Sequence, residues 1–161
     1  MLARPLVQAA FESSRHSSLE QSSHKIEYNV YGPVKDEEYW QLCKEQIKKL
    51  PENVQVTWHK EIEPQQVGAA LSGGHVFVLP SKSENFGHAI YEALSAGRPV
   101  ITSHNTPWNG LKESMAGINV TPENPQELAN AIDLFAGMGQ GELDQWSRGA
   151  VIYADKAVDV A

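Results

Sequence analysis

Residues 75–102 read HVFVLPSKSENFGHAIYEALSAGRPVIT. Val76-Phe77-Val78-Leu79 is a continuous apolar run, the pattern of a central parallel strand buried on both faces, and Pro80 closes it. A polar loop, Ser81-Lys82-Ser83-Glu84-Asn85, leads into helical periodicity from about Phe86 to Ala96. Gly97 then stands where a left-handed C-terminal cap belongs. Pro99 opens a second strand, Val100-Ile101-Thr102. Strand, loop, helix and strand in so short a span predict a parallel sheet with covering helices, an α/β fold.

The same alternation extends in both directions. Upstream, Leu2–Ser14 reads as a helix and Ser17–Lys25 as a polar loop. Ile26–Tyr31 reads as a strand ended by Gly32-Pro33, and Asp36 caps a helix with Tyr39, Trp40, Cys43, Ile47 and Leu50 at helical spacing. Val54–Trp58 makes another strand, followed by a short helix from Pro64 to Leu71 that ends at Gly73-Gly74. Downstream, a helix is expected near Leu111–Met115 and a short strand near Gly117–Val120. One closing helix starts near Asn124-Pro125, and another carries Leu143, Trp146, Ala150 and Tyr153. The expected fold is Rossmann-like, with helices on both faces of a parallel sheet.

Composition narrows the function. At 161 residues and 41% hydrophobic content the chain supports one domain. The formal charge of −7 argues against a broad nucleic-acid footprint, which needs clustered Lys and Arg. Cys43 is the single cysteine and reads as a buried apolar side chain. His16, His24, His59, His75 and His104 lack metal-ligand spacing, so neither a metal site nor a cofactor is expected. No run approaches a membrane span, and the chain reads as cytoplasmic, peripheral to a membrane at most.

Chemistry is expected at the loop 81–85, because ligands of open parallel sheets bind beyond the carboxyl ends of strands. With Asn85 as N-cap, the amides of Phe86, Gly87, His88 and Ala89 lack intrahelical acceptors and favour an anion. Gly87 lets a phosphate approach the backbone, and Gly87→Val is expected to damage phosphate binding more than folding. Phe86, Ala89, Ile90, Ala93 and Leu94 are expected to face the core, leaving His88 and Glu92 on another face. Two glutamates with seven residues between them are also ordinary solvated acids in many proteins; only the strand, glycine and cap around Glu84 and Glu92 give them weight. His88 reads equally as a helix-face residue and a ligand contact, and Trp108 reads as packing or as pocket lining.

The segment Ser83-Glu84-Asn85-Phe86-Gly87-His88-Ala89-Ile90-Tyr91-Glu92, continued by Ala93-Leu94-Ser95-Ala96-Gly97-Arg98-Pro99-Val100-Ile101, resembles the E-x7-E signature of bacterial group 1 glycosyltransferases. A weaker likeness runs from Tyr31-Gly32-Pro33 through Pro107-Trp108 to Trp146-Ser147-Arg148-Gly149-Ala150. The resemblance implies the C-terminal, nucleotide-sugar-binding half of a retaining two-domain GT-B enzyme of hexosyltransferase type. It implies that Glu84 acts beside the donor sugar and Glu92 bonds the ribose hydroxyls. The amides of Phe86, Gly87 and His88 would hold the diphosphate, with Asn85 in the same loop and Ile62 packing near the nucleobase. A sugar-nucleotide 2-epimerase shares this architecture, and a non-catalytic nucleotide-binding or interaction module is the reading of another class.

This chain departs from the family pattern in three ways. It opens inside what resembles the domain's first helix, so the first strand, the basic residues that complete the diphosphate site and the acceptor domain are expected to be absent. The isolated chain is therefore expected to be inactive, with the incomplete sheet covered by association into a homo-oligomer. Lys60 replaces a usual glycine before Ile62, and Asn85 replaces another.

Overall fold

The computed structural model describes residues 24–159; the expected helix Leu2–Ser14 and most of the loop after it lie outside them. The described residues form five strands and five helices. In chain order these are β1 (Ile26–Tyr31), α1 (Glu37–Ile47), β2 (Val54–His59), α2 (Pro64–Ser72), β3 (Phe77–Leu79), α3 (His88–Ser95), β4 (Val100–Ser103), β5 (Gly117–Val120), α4 (Pro125–Ala136) and α5 (Gln140–Asp159). The α/β class and the parallel arrangement agree with the sequence pattern.

The strands divide into two sheets. β1 and β2 pair in parallel from Ile26 opposite Val54 to Tyr31 opposite His59. β3, β4 and β5 form a second parallel sheet in that order, with Val100 facing Phe77 on one side and Gly117 on the other. No ladder joins the two sheets among the described residues. β4, not β3, is therefore the central, fully buried strand, whereas the three residues of β3 are only half-buried. An apolar run specifies a strand but not its place in the order, and among the described residues β3 has a hydrogen-bonded neighbour on one side only.

Helix boundaries follow local chemistry. Asp36 accepts from the Tyr39 amide at 2.9 Å and so caps α1. The Gln66 side chain accepts from the Glu63 amide at 3.0 Å ahead of Pro64, which needs no amide partner at the first helical position. Asn124 caps α4 through the amides of Gln126 and Glu127. The core lies around the three-stranded sheet. Ile90, Ala93 and Leu94 of α3 pack with Val100, Trp108, Leu111, Ala150 and Ala154, and Ile101, Val120, Leu128, Phe135 and Trp146 form a second cluster. Burial also raises the pKa of the Cys43 thiol, in keeping with a packing residue.

One expected helix is absent. Leu111–Met115 forms hydrogen-bonded turns, closed by Ala116 N–H to Leu111 O at 2.8 Å and Met115 N–H to Lys112 O at 3.1 Å. Met115 has φ 52°, a left-handed conformation that ends a turn and cannot propagate a helix.

Candidate functional site

The loop between β3 and α3 lies at the carboxyl end of its sheet, as the strand–loop–helix reading requires. Its first half is held from below by the buried hydroxyls of β4. Thr102 Oγ1 donates to Leu79 O at 2.8 Å, and Ser103 Oγ donates to Ser81 O. Ser81 in turn donates its hydroxyl to Ser83 O at 3.0 Å. Thr102 and Ser103 are fully buried, and each satisfies its hydroxyl on a carbonyl at or just beyond the end of β3.

The second half differs from the sequence expectation. α3 begins at His88, not Phe86, and its N-cap is Gly87, not Asn85. Gly87 has φ 79° and ψ 61°, the left-handed region that glycine enters without a Cβ penalty. The chain therefore turns sharply before the helix starts. Phe86 is exposed, as is Ala89, and neither faces the core; Ile90, Ala93 and Leu94 do. The Phe86 ring instead lies 4.8 Å from the His88 ring and 5.4 Å from Trp108, centroid to centroid.

A left-handed residue followed by a helical one turns successive amides toward a common point, a concavity that suits an anion. Here those amides are Gly87, His88 and Ala89. The carbonyl of Gly87 is already engaged by the amides of Ile90 and Tyr91, at 3.0 and 3.1 Å. The first-turn amides lie at the positive end of the helix dipole, where no intrahelical acceptor is available to them. Around this cradle Glu84 is half-buried, Asn85 and His88 are exposed, and Glu92 lies exposed one turn into α3. The structure thus gathers Glu84, Asn85, Phe86, Gly87, His88 and Glu92 into one loop and helix start. Ile62 is apart from them, half-buried between β2 and α2 on the side of the other sheet.

A polar frame behind the loop escaped the sequence analysis. Asn119 of β5 donates to Trp108 O at 2.7 Å, and Thr106 Oγ1 donates to Ser103 O at 3.2 Å. Asn109 Nδ2 donates to Thr106 O at 2.7 Å, and Tyr153 OH donates to Asn109 O at 2.6 Å. Burial raises the pKa of the Tyr153 phenol, which keeps it a donor. Trp108 is 4% exposed and gives its indole N–H to the carbonyl of Phe86. The sequence signal for this frame is weak, since Ser, Thr and Asn after a strand equally fit an exposed turn.

The family model of glycosyl transferases group 1 matches residues 9–149. The chain belongs to that family. Among curated proteins, it is 33% identical over 60 residues to a sulfoquinovosyl transferase of Arabidopsis thaliana, covering 37% of the chain and 12% of that protein. It is 23% identical over 145 residues to a sucrose synthase of Melioribacter roseus, covering 85% of the chain and 18% of that protein. The chain therefore spans less than a fifth of the curated relatives it matches. A glycosyltransferase of Rickettsia africae superposes with a TM-score of 0.74 at 18% identity, over 97% of this chain and 40% of its own. An Anabaena protein solved with UDP and glucose superposes at 0.71 with 20% identity, over 92% of this chain and 40% of its own. The C-terminal domain of a Francisella tularensis group 1 glycosyl transferase superposes at 0.67 with 12% identity, over 90% of this chain and 92% of that domain. These likenesses show the fold, an α/β arrangement of parallel sheets and helices as in GT-B glycosyltransferases. Among the described residues no helix is long and apolar enough to cross a membrane.

Proposed function

We propose that the chain is the donor-binding, C-terminal half of a GT-B glycosyltransferase that moves a sugar from a nucleoside diphosphate to an acceptor with retention of configuration. The observation that carries the reading is the left-handed Gly87 at the start of α3, set between Glu84 and Glu92 in a chain of this family. Close superposition on an isolated C-terminal domain supports the assignment to that half.

In this reading the amides of Gly87, His88 and Ala89 bind the diphosphate, with the Phe86 amide at its edge. They stabilise the negative charge that grows on the leaving group as the glycosidic bond breaks. Fixed donors of this kind need no reorganisation during reaction. Glu92 accepts hydrogen bonds from the ribose hydroxyls, and Glu84 stands by the donor sugar as the catalytic residue of this half. Ile62 contributes an apolar surface for the base, and Asn85 holds the loop. The acceptor and its catalytic groups belong to a second domain, so transfer by this chain alone is not expected. A nucleotide-sugar donor is the partner, and no metal is assigned a role.

A thermal-shift screen of UDP-, GDP- and ADP-sugars tests the reading. It predicts a saturable rise in melting temperature with one nucleotide class, and no rise with the free sugars. The absence of a shift with every nucleotide would overturn it.

A further inference from the structure

We infer that Trp108 is a positioning residue for the anion cradle: its indole N–H fixes the Phe86–Gly87 peptide so that the Gly87 amide is presented outward. The inference rests on the reading of the cradle as a diphosphate site.

Three observations carry it. Trp108 donates Nε1–H to Phe86 O from a buried position in the main core. A trans peptide holds its C=O and N–H on opposite sides, and no peptide in the described residues is cis. A carbonyl drawn inward to Trp108 therefore sends the N–H of Gly87 outward. The tryptophan is itself immobilised at both backbone ends, by Trp108 N–H to Thr106 Oγ1 at 3.3 Å and by Asn119 Nδ2 to Trp108 O at 2.7 Å. Its ring packs between neighbours, with centroids 6.0 Å from Tyr91, 6.1 Å from Tyr153 and 5.4 Å from Phe86.

The consequence is a division of labour. Gly87 supplies the backbone conformation, and Trp108 selects the orientation of the peptide before it. Without the indole donor the carbonyl of Phe86, an exposed residue, is free to rotate toward water and carry the Gly87 amide out of the cradle. The loop after β4 thus acts on the ligand through the loop after β3, without touching the ligand.

Trp108→Phe removes the donor and keeps a large ring. Calorimetry should show affinity for the best-bound of UDP, GDP and ADP falling about five- to tenfold, the loss of one hydrogen bond to the site. Affinity for the corresponding nucleoside should stay unchanged. An unchanged diphosphate affinity, or equal losses for both, would overturn the inference, because loosened packing does not count phosphates. Two-dimensional NMR of the unliganded chain decides the point without a ligand. Trp108→Phe should shift the Gly87 and His88 amide resonances and speed their exchange about fivefold, with Ile101 unaffected. Unmoved Gly87 and His88 amides would overturn the inference even where the diphosphate binds. Failure of the unsubstituted chain to bind any of the three diphosphates would instead count against the proposed site. Where the variant does not fold, the Trp108 indole proton of the unsubstituted chain must shift with diphosphate and not with nucleoside; a static resonance contradicts the inference.

Discussion

Gly87 and Ile90 stand so close that a Cβ on Gly87 would lie 3.1 Å from the Ile90 Cδ1, and 3.3 Å from Trp108 Nε1 on the other side. Gly87 is also left-handed at φ 79°. Substitution at Gly87 is therefore expected to cost folding stability as well as phosphate binding. Gly87→Ala should destabilise the chain by about 1–2 kcal/mol from the left-handed backbone, and Gly87→Val by more. Urea denaturation checks this. A Gly87→Val chain as stable as the original would show that the turn relaxes at no cost.

Glu127 ties the first turn of α4 to the end of β5. Its carboxylate accepts from the Thr121 amide at 2.6 Å, from Thr121 Oγ1 at 3.3 Å and from Asn124 Nδ2 at 3.1 Å. The Thr121 amide is the largest cause of a pKa below the ordinary carboxylate value. A depressed folded-state pKa contributes stability above the unfolded value, and that stability is lost as pH falls through the folded one. Glu127→Gln should therefore lower the melting temperature at pH 7 by an amount that shrinks to nothing below both pKa values. Because the group is largely solvated, the loss should not exceed about 1 kcal/mol. A deficit that persists unchanged in acid would assign the effect to packing.

Among the described residues β3 pairs with β4 alone, and Phe77, Val78 and Leu79 are half-buried. A row of unpaired strand amides and carbonyls is a template for another strand. The chain is expected to associate as its concentration rises, and light scattering reads the mass. A monomer at high concentration would contradict association through this edge. Residue-specific exchange should protect the Val78 amide in the associated form only.

Much of the fold was legible because its signals are local. Asp36, Asn124-Pro125 and Gly97 mark helix ends by side-chain caps or backbone freedom, and the structure places them there. The region of the site was legible for the same reason, since Glu84, Gly87 and Glu92 lie within one loop and one helix turn of each other in sequence. What was not legible depends on distant partners. Whether α3 starts at Phe86 or His88 is decided by Trp108 and Ile90, which fill the space around Gly87. The order that puts β4 at the centre, and the bonds that Thr102, Ser103 and Asn119 make across strands, join residues far apart in the chain. The turn at Leu111–Met115 carries helix-forming residues, yet ends at a left-handed Met115 that no propensity announces.

In the proposed function α3 and its preceding loop hold a nucleoside diphosphate, with Glu92 on the ribose. Titration calorimetry of UDP, GDP and ADP against the chain and its Glu92→Ala variant decides this. Glu92 is exposed, so the melting temperature should hardly move. Binding should weaken by about 1.5–3 kcal/mol, the range for hydrogen bonds to a charged group. Equal affinity of the two proteins for a nucleoside diphosphate that binds would contradict the assignment.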